Sequence, residues 1–513
     1  MRRPLCAILA SFVLVTTLSQ SQEKNPQSFG SAALSTSNAD TTIVSLLQQS
    51  HDLGQPLPVS IRLNMLRRQA LMVSKLRTDL GRDWANELFT LSFQAKEGHR
   101  AVAQETAMGL LTRLDPDRAL ELLHSISMEE PEANWSTTPP KLEIAQHVFQ
   151  VLAERDGERS LPVLEQEAEL MGKEGHYPYA AMGFAVDRAS TKYWGNNNQR
   201  AIELLQSYFD PAFARYRQSP HRYFDDFQFG RMLEVFAGGL PFDSVQPALH
   251  LLVNNLLATD THKYQFVAEV YTTDGKSAKA DNVIDATILV FGMLINRDPE
   301  LVRELESTRP ELKTVLEYTK EGRLSEIIGP GRPEDMRSED PATETQMNAI
   351  YLSRSNPEAA IAKAGQLPDD AKRATTMLEV SRGTAGDHPE RSAELIAETQ
   401  RRNPPTDDEM EFNLISAQAS VAAAQYKKDE LHELLQRGFA SANRILLEQQ
   451  NTGDIHFFPG LALMIQISIK NDPDLTTAFM ESLPTSYVKA EAFLMAASEL
   501  NMGRRLPFSS RQQ

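Results

Sequence analysis

Cysteine is nearly absent from this sequence. Its 513 residues include one cysteine, Cys6, which lies inside a predicted signal sequence. Once that segment is removed, the mature chain has no thiol. It can then form no disulfide and no cysteine-ligated metal site, and it has no cysteine nucleophile. An acidic chain without cysteine fits the bacterial periplasm or the exterior of the cell.

Clustered positive charge and long apolar runs are also lacking. The formal net charge is −17, and no basic face of the kind that binds a phosphate backbone is present, which argues against nucleic acid as a partner. After residue 21, no segment reaches the ~20 uncharged apolar residues that a membrane-spanning helix needs. The sequence therefore predicts no membrane span in the mature chain.

The usual catalytic and metal-binding patterns are missing as well. The sequence has no P-loop, no G-x-G-x-x-G, no G-x-S-x-G and no H-E-x-x-H motif, and no two of its eleven histidines stand at i, i+4. We therefore predict no cofactor, no metal site and no catalytic residue. The sequence favours a non-enzymatic role, although it leaves the question of activity open.

Residues 1–21 have the composition of a secretory signal. Arg2 and Arg3 give a positive start, and Leu5–Val15 is an uncharged, mostly apolar run. Ser19 and Ser21 are small residues that allow cleavage behind them. The apolar run is too short to anchor the chain in a bilayer. We therefore expect export to the periplasm or out of the cell.

Helical periodicity dominates the rest of the chain. The exception is the stretch 264–271, a strand candidate that is followed by a polar loop at 272–282, so a short strand pair is expected near 264–282. We expect a signal peptide at 1–21, a flexible N-terminal segment at 22–56, helical-repeat regions at 57–328 and 346–503, a linker or long loop at 329–345 and a tail at 504–513.

A nine-residue pattern recurs ten times along the chain. Its copies are spaced 32 to 58 residues apart, and an amphipathic segment precedes each one, which indicates a repeating helical hairpin of ~40 residues. Because one hairpin cannot bury its apolar face alone, the pattern predicts an all-α fold, an α-solenoid of stacked hairpins. The clearest copies are DPDRALELL at 115–123, DPELVRELE at 298–306, NPEAAIAKA at 356–364, HPERSAELI at 388–396 and DPDLTTAFM at 472–480, and weaker copies begin at residues 81, 156, 197, 244 and 428.

The pattern has the chemistry of a helix start. Its first residue is commonly Asp, Asn or Ser, which can cap a helix, and proline often follows at the first helical position. An acidic residue usually comes next, where it faces the positive end of the helix dipole. The fifth position is small in eight copies, which predicts close contact with a neighbouring helix. These eight residues are Ala85, Ala119, Ser160, Ala201, Ala248, Ala360, Ser392 and Thr476.

The segment LDPDRALELL at 114–123 resembles the turn and second-helix start of tetratricopeptide-like helical-repeat proteins, with Ala119 as the small packing residue. The likeness extends over most of residues 57–500. It implies protein–protein interaction as the default role and brings no catalytic residues with it. The uneven spacing of the copies leaves the repeat subtype open.

Aromatic residues concentrate between 176 and 236. This stretch holds 14 of the 37 aromatic residues, where an even spread gives four or five. Such a cluster can be bulky packing within the solenoid, or it can be a surface for a ligand or partner. The candidate binding residues are Tyr177, Tyr179, Tyr193, Trp194, Tyr216, Arg222, Tyr223, Phe224, Asp225, Asp226 and Phe227.

Two functions follow as hypotheses. The first is an exported helical-repeat scaffold that binds a protein or peptide partner. The second is a glycan-binding or carbohydrate-active helical protein that uses the aromatic-rich stretch, because aromatic faces beside carboxylates and amides suit a sugar groove. An envelope component without a specific ligand is a third, simpler possibility.

Overall fold

The structure of the chain is a computed structural model. It describes residues 36–128, 139–194, 198–259, 268–272, 277–280, 283–320, 324–328, 341–452 and 457–502. The predicted signal peptide and the predicted tail lie outside these residues. The chain divides into two compact units, a terminal unit of Met1–Trp84 with Arg337–Gln513 and a central unit of Ala85–Met336.

The terminal unit combines helices from both ends of the sequence. From the start of the chain come α1 (Thr36–Gly54), α2 (Val59–Val73) and the first part of α3 (Thr78–Ser92). The remaining helices are α16 (Pro341–Ser355), α17 (Pro357–Ala364), α18 (Asp370–Thr384), α19 (Pro389–Arg402), α20 (Asp408–Ala424), α21 (Lys428–Thr452), α22 (Pro459–Asn471), α23 (Pro473–Ser482) and α24 (Ser486–Met502).

Helices of the terminal unit pack in the order expected of a solenoid. The first helix of each hairpin contacts the first helix of the next, so that α16, α18, α20, α22 and α24 form one continuous layer. The second helices α17, α19, α21 and α23 each pack against their own hairpin partner. Helix α1 extends the layer because it packs against α24, and α2 in turn contacts both of them.

The central unit repeats this arrangement and adds a small sheet. The elements are α4 (Glu97–Leu114), α5 (Pro116–Leu123), α6 (Pro140–Asp156), α7 (Leu161–Glu174), α8 (Tyr179–Ser190), α9 (Asn198–Gln218), α10 (Tyr223–Gly239), α11 (Phe242–Leu257), β1 (Ala268–Thr272), β2 (Ser277–Ala280), α12 (Val283–Val290), α13 (Gly292–Ile295), α14 (Pro299–Thr308), α15 (Lys313–Lys320) and β3 (Leu324–Ile328). Helices α4, α6, α8 and α10 form the continuous layer, while α5, α7, α9 and α11 are the second helices.

The three short strands form one antiparallel sheet in the order β2-β1-β3. Strand β1 pairs with β2 from Ala268 opposite Ala280 to Tyr271 opposite Ser277. The predicted strand pair near 264–282 is thus confirmed for its described residues, whereas β3 was not predicted. Apart from this sheet, the described residues form an all-α fold in which each unit is a solenoid of stacked hairpins.

All ten copies of the nine-residue pattern lie at or near the start of the second helix of a hairpin. The side chains of Asp115, Asp298, Asn356 and Asp472 accept hydrogen bonds from backbone N–H groups in the first turn of the helix that follows. The helix-start interpretation is therefore confirmed for these copies. Two weaker copies, at 81 and 244, begin inside α3 and α11 rather than at their first residue.

Small residues at the fifth position of the pattern are buried in every case where they occur. All eight have a relative exposure of 9% or less. The two copies without a small residue carry Val302, which is half-buried, and His432, which is exposed. Burial at this position therefore goes with a small side chain, because only a small side chain lets two helix backbones approach each other closely.

Two predictions about the ends of the regions need correction. The expected flexible segment 22–56 is wrong for Thr36–Gly54, which form α1, with Ile43 and Leu47 fully buried. Its apolar residues have helical spacing, although polar residues surround them. Of the expected linker 329–345, residues 341–345 are the first turn of α16, and 329–340 lie outside the described residues.

Replacing Ala360 with leucine tests the packing argument. Ala360 is fully buried in α17 and lies in a core cluster with Ala349 and Leu395. We expect Ala360→Leu to lower the free energy of unfolding by about 1–3 kcal/mol, measured by urea denaturation, because a well-packed core has no room for the added methylenes.

Ala362, two residues further along the same helix, is exposed and provides the control. Ala362→Leu should change the free energy of unfolding by less than ~0.5 kcal/mol. Equal effects of the two substitutions would contradict the packing role of the fifth position.

Candidate functional site

The eleven predicted binding residues do not form one exposed surface. Tyr177, Tyr193, Trp194 and Phe227 are half-buried, and Arg222 is exposed. A partner cannot reach the buried ones without opening the core, so binding remains a prediction for the other five only. The six buried residues are Tyr179, Tyr216, Tyr223, Phe224, Asp225 and Asp226.

The buried aromatic rings form the core between α8, α9 and α10. The rings of Tyr216 and Phe229 are stacked with their centroids 3.8 Å apart, and the Tyr179 ring meets both of them edge-on. The backbones of α8 and α10 approach so closely that a Cβ atom at Gly183 would lie 2.8 Å from Cγ of Met232. The aromatic-rich stretch is thus packing, one of the two interpretations that the sequence allowed.

A buried polar network accompanies these rings. Nδ1 of His176 lies 2.8 Å from a carboxylate oxygen of Asp225. The hydroxyl of Tyr216 donates to Oδ1 of Asp226 over 2.6 Å, and Asn255 donates to the same hydroxyl over 2.9 Å. Burial raises the pKa of Asp226 to about 7, although the hydrogen bond from Tyr216 opposes the shift.

All five residues of this network are buried, so a molecule in the solvent does not reach them. The small cavity lined by Tyr177, Tyr208 and Arg215 among others, of about 10 Å³ or room for about one water molecule, is lined by none of the five. The groups resemble those of an active site, but catalysis needs a reacting molecule in contact with them. We therefore assign the network to the core.

A much larger cleft, of about 710 Å³, lies where α6 ends and α7 begins. Helix α5 contributes Asp117 and Leu120, and the turn after α8 contributes Lys192 and Tyr193. The residues 155–160 form the rest of the polar wall, and Val163 and Leu164 add apolar surface. This volume is typical of sites that hold a small molecule or a short peptide segment.

Gly157 shapes the cleft. It ends α6 with a φ of 63°, a conformation that a side chain disfavours, and α7 begins at Leu161 with a proline in its first turn. A Cβ atom at this position would also lie 2.8 Å from Nζ of Lys192. The positive φ is therefore the reason for glycine at this turn, and a side chain here would also displace the end of Lys192.

Arg155 bridges two carboxylates on one side of the cleft. Its guanidinium nitrogens Nη1 and Nη2 each donate to Asp117 over 2.8 Å, and Nη2 also donates to Asp156 over 2.7 Å. These hydrogen bonds hold the pKa values of Asp117 and Asp156 below their usual range. The Arg155 charge is therefore fully engaged within the protein.

A second ion pair involves Glu158, which also lines the cleft. Arg200 donates to Glu158 over 2.7 Å. The Tyr193 hydroxyl, followed by the Arg200 guanidinium, holds the pKa of Glu158 below its usual range. Tyr193 is thus the one candidate binding residue that lines this cleft.

Sequence analysis missed the other residues of the cleft, although two signals were present. The copy at 156–164 starts with Asp-Gly, a turn signal, where the clearest copies have proline in the second position. The same copy also carries arginine at its fourth position, which the copies at 115, 197 and 388 share. Neither the Asp-Gly turn nor the arginine shows by itself that these residues line a cleft.

Comparisons with known proteins include a likeness to a solved structure. A circular tandem repeat protein, described as having a novel repeat topology and enhanced subunit contact surfaces, is similar over 91% of this chain and 99% of its own, at 15% identity and a TM-score of 0.15. At that score the likeness adds nothing to the fold derived above from the helix contacts. No protein-family model and no curated protein matches the chain.

The described part of the chain has neither a metal-binding cluster nor a membrane-spanning helix. No group of three or more His, Cys, Asp or Glu side chains is arranged there to hold a metal ion. Among the same residues, no helix combines the length and the apolar character needed to cross a bilayer.

The raised pKa of Asp226 gives a testable pH dependence. The folded state prefers the protonated carboxyl, so the stabilisation that this group provides is complete below pH ~4 and is lost as the pH rises through about 7. Asp226→Asn keeps the shape and cannot ionise. We expect its urea midpoint to fall less steeply than that of the wild type between about pH 5 and pH 8.

Asp210, an exposed residue of α9, is the control. Asp210→Asn should keep the wild-type dependence of the midpoint on pH. If Asp226→Asn also keeps it, Asp226 is ionised in the folded protein and the assignment is incorrect.

Proposed function

We propose that this chain is an exported helical-repeat protein that binds a protein or peptide partner, and that the cleft around Gly157 receives a segment of that partner. The observation that carries the proposal is the cleft itself, whose lining combines charged and polar groups with apolar side chains. The apolar side chains, here called the apolar wall, are Leu120, Leu152, Val163 and Leu164. Sites that bind peptides combine these two kinds of surface, since apolar contacts give affinity and polar groups fix the register.

Val163 marks the apolar wall of the cleft. It lies in the first turn of α7, and half of its surface (50%) is exposed although it is a branched apolar residue. Leu120 and Leu152 line the same cleft. An apolar wall next to fixed charges favours a peptide over a uniformly polar ligand.

The glycan-binding alternative has less support. It depended on exposed aromatic faces between 176 and 236, and most of its candidate residues are buried between α8, α9 and α10. Only Tyr193 could stack on a sugar within the cleft. We therefore do not carry this alternative further.

A peptide library tests the binding proposal directly. Random dodecapeptides displayed on phage would be selected against the full chain, and the affinities of enriched peptides measured by fluorescence anisotropy. We expect Val163→Glu to weaken these peptides by about tenfold or more, because an ionised side chain in the apolar wall must be desolvated on binding.

Leu447 is the matched control, since it has nearly the same exposure (52%) but lies in the terminal unit, on α21. Leu447→Glu should leave the affinities unchanged. The proposal fails if no peptide is enriched, or if enriched peptides bind both variants equally well.

Export is the second part of the proposal, and it is supported by the composition of residues 1–21. Expression of the full sequence in a bacterial host should give a mature protein whose N-terminal residue, read by sequencing, is Gln20 or Gln22. Val13→Arg should block this processing, because a charge interrupts the apolar run, whereas Ser28→Arg should not. An unprocessed wild-type chain would contradict export by this signal.

A further inference from the structure

Four copies of the repeated pattern carry arginine at the fourth position. These residues are Arg118, Arg159, Arg200 and Arg391, and each lies in the first turns of a second helix or in the turn before it. The same position in equivalent hairpins faces the same neighbour, so the four arginines can be compared directly.

Three of the four arginines reach back to the preceding copy. Arg118 donates to Asn86 over 3.4 Å, Arg200 donates to Glu158 over 2.7 Å, and Arg391 donates to Glu358 over 2.8 and 3.2 Å. Glu158 and Glu358 both occupy the third position of their copies. The rule is therefore that the arginine of one copy binds a polar residue of the copy before it.

Arg159 is the exception. The residue of the preceding copy that corresponds to Glu158 and Glu358 is Asp117, at the third position. Both oxygens of Asp117 are already bound by Arg155, which comes from the end of α6. Arg159 is exposed, lines the 710 Å³ cleft and makes no hydrogen bond or ion pair to any residue that the structure describes.

Lys192 provides a second cation with unused donors. It lines the same cleft and is exposed, and its ammonium group lies close to Gly157. Within the described residues it makes no hydrogen bond, although its charge attracts Asp156. Asp117 and Asp156 share the single positive charge of Arg155, and Glu158 is paired with Arg200. One of the two carboxylates at Arg155 is therefore left to be neutralised by Lys192. The positive charge of Arg159 then has no carboxylate to neutralise it.

Because Arg159 lacks the carboxylate acceptor that Arg200 and Arg391 have, we propose that the cleft binds an acidic peptide segment. A side-chain carboxylate of this segment accepts from Arg159 in place of Asp117. The inference rests on the proposed peptide-binding function and names the chemistry of the partner. Arg159 binds the carboxylate through its guanidinium, Lys192, which lines the same cleft, also donates to it, and Val163 contacts the apolar side chain that follows or precedes it.

Peptide pools of defined composition test the proposal. Three fluorescein-labelled pools of dodecapeptides, acidic, neutral and basic, would have acetylated and amidated ends so that only side chains carry charge. Binding to the full chain would be followed by fluorescence anisotropy. We expect the acidic pool to bind about tenfold more tightly than the neutral pool, as expected for a charge-assisted contact.

The double variant Arg159→Glu with Lys192→Glu should lose this preference and favour the basic pool. Arg159→Gln with Lys192→Gln, which adds no repulsion, should equalise the acidic and neutral pools and serves if the first variant is less stable by circular dichroism. Arg303→Glu, an exposed arginine of α14, should keep the wild-type preference.

The outcomes separate the two proposals. If no pool binds the wild type, peptide binding and the acidic preference both fail. If pools bind but the acidic one is not favoured, or if the preference survives in both double variants, the acidic assignment is wrong and peptide binding stands. The acidic assignment is supported if the wild type and Arg303→Glu prefer the acidic pool and both double variants lose this preference.

Discussion

The close approach of each second helix to its neighbours is the constraint on which this structure depends. The fifth position of the repeated pattern is where that approach occurs, and Ala119, Ala201 and Ala360 are fully buried there. Larger residues at this position are less buried, since Val302 is half-buried and His432 is exposed. Because each hairpin buries its apolar face only against its neighbours, the stacking of hairpins within each unit depends on this contact.

The first residue of the pattern has two roles in some copies. Asp298 caps α14 and also binds Gln246 and His250 of the preceding second helix; burial opposes its ionisation, but these hydrogen bonds lower its pKa to about 2. Asp472 caps α23 and binds His432 in the same way. Helix starts and contacts between hairpins are therefore fixed by the same few side chains.

The copy at 156–164 has Gly157 where the clearest copies have proline, and the cleft lies at this copy.

Much of the fold could be predicted from the sequence because its information is local. Caps, prolines and small residues recur within nine residues, so their spacing gives the hairpins, and the strand pair near 264–282 has a local signature too. The packing of α1 against α24 could not be predicted, since it joins residues more than 400 positions apart and the polar sequence around Ile43 and Leu47 concealed a helix. The cleft was missed for a similar reason. Asp117, Gly157 and Lys192 come from three separate turns, and the composition of the aromatic-rich stretch reports packing rather than accessibility.

Charge sets the conditions under which such a cleft can select a partner. The whole chain has a formal charge of −17, so an acidic segment is repelled at long range, but this repulsion is screened beyond about 10 Å at ordinary salt. Contact with Arg159 and Lys192 acts only at hydrogen-bond distance and is less affected. Added salt should therefore speed association while it shortens the lifetime of the bound state, because it weakens both the long-range repulsion and the final contact. In the proposed binding site, selection is then a short-range effect of Arg159, which the repeat pattern leaves without its usual partner, and of the neighbouring Lys192, rather than an effect of overall charge.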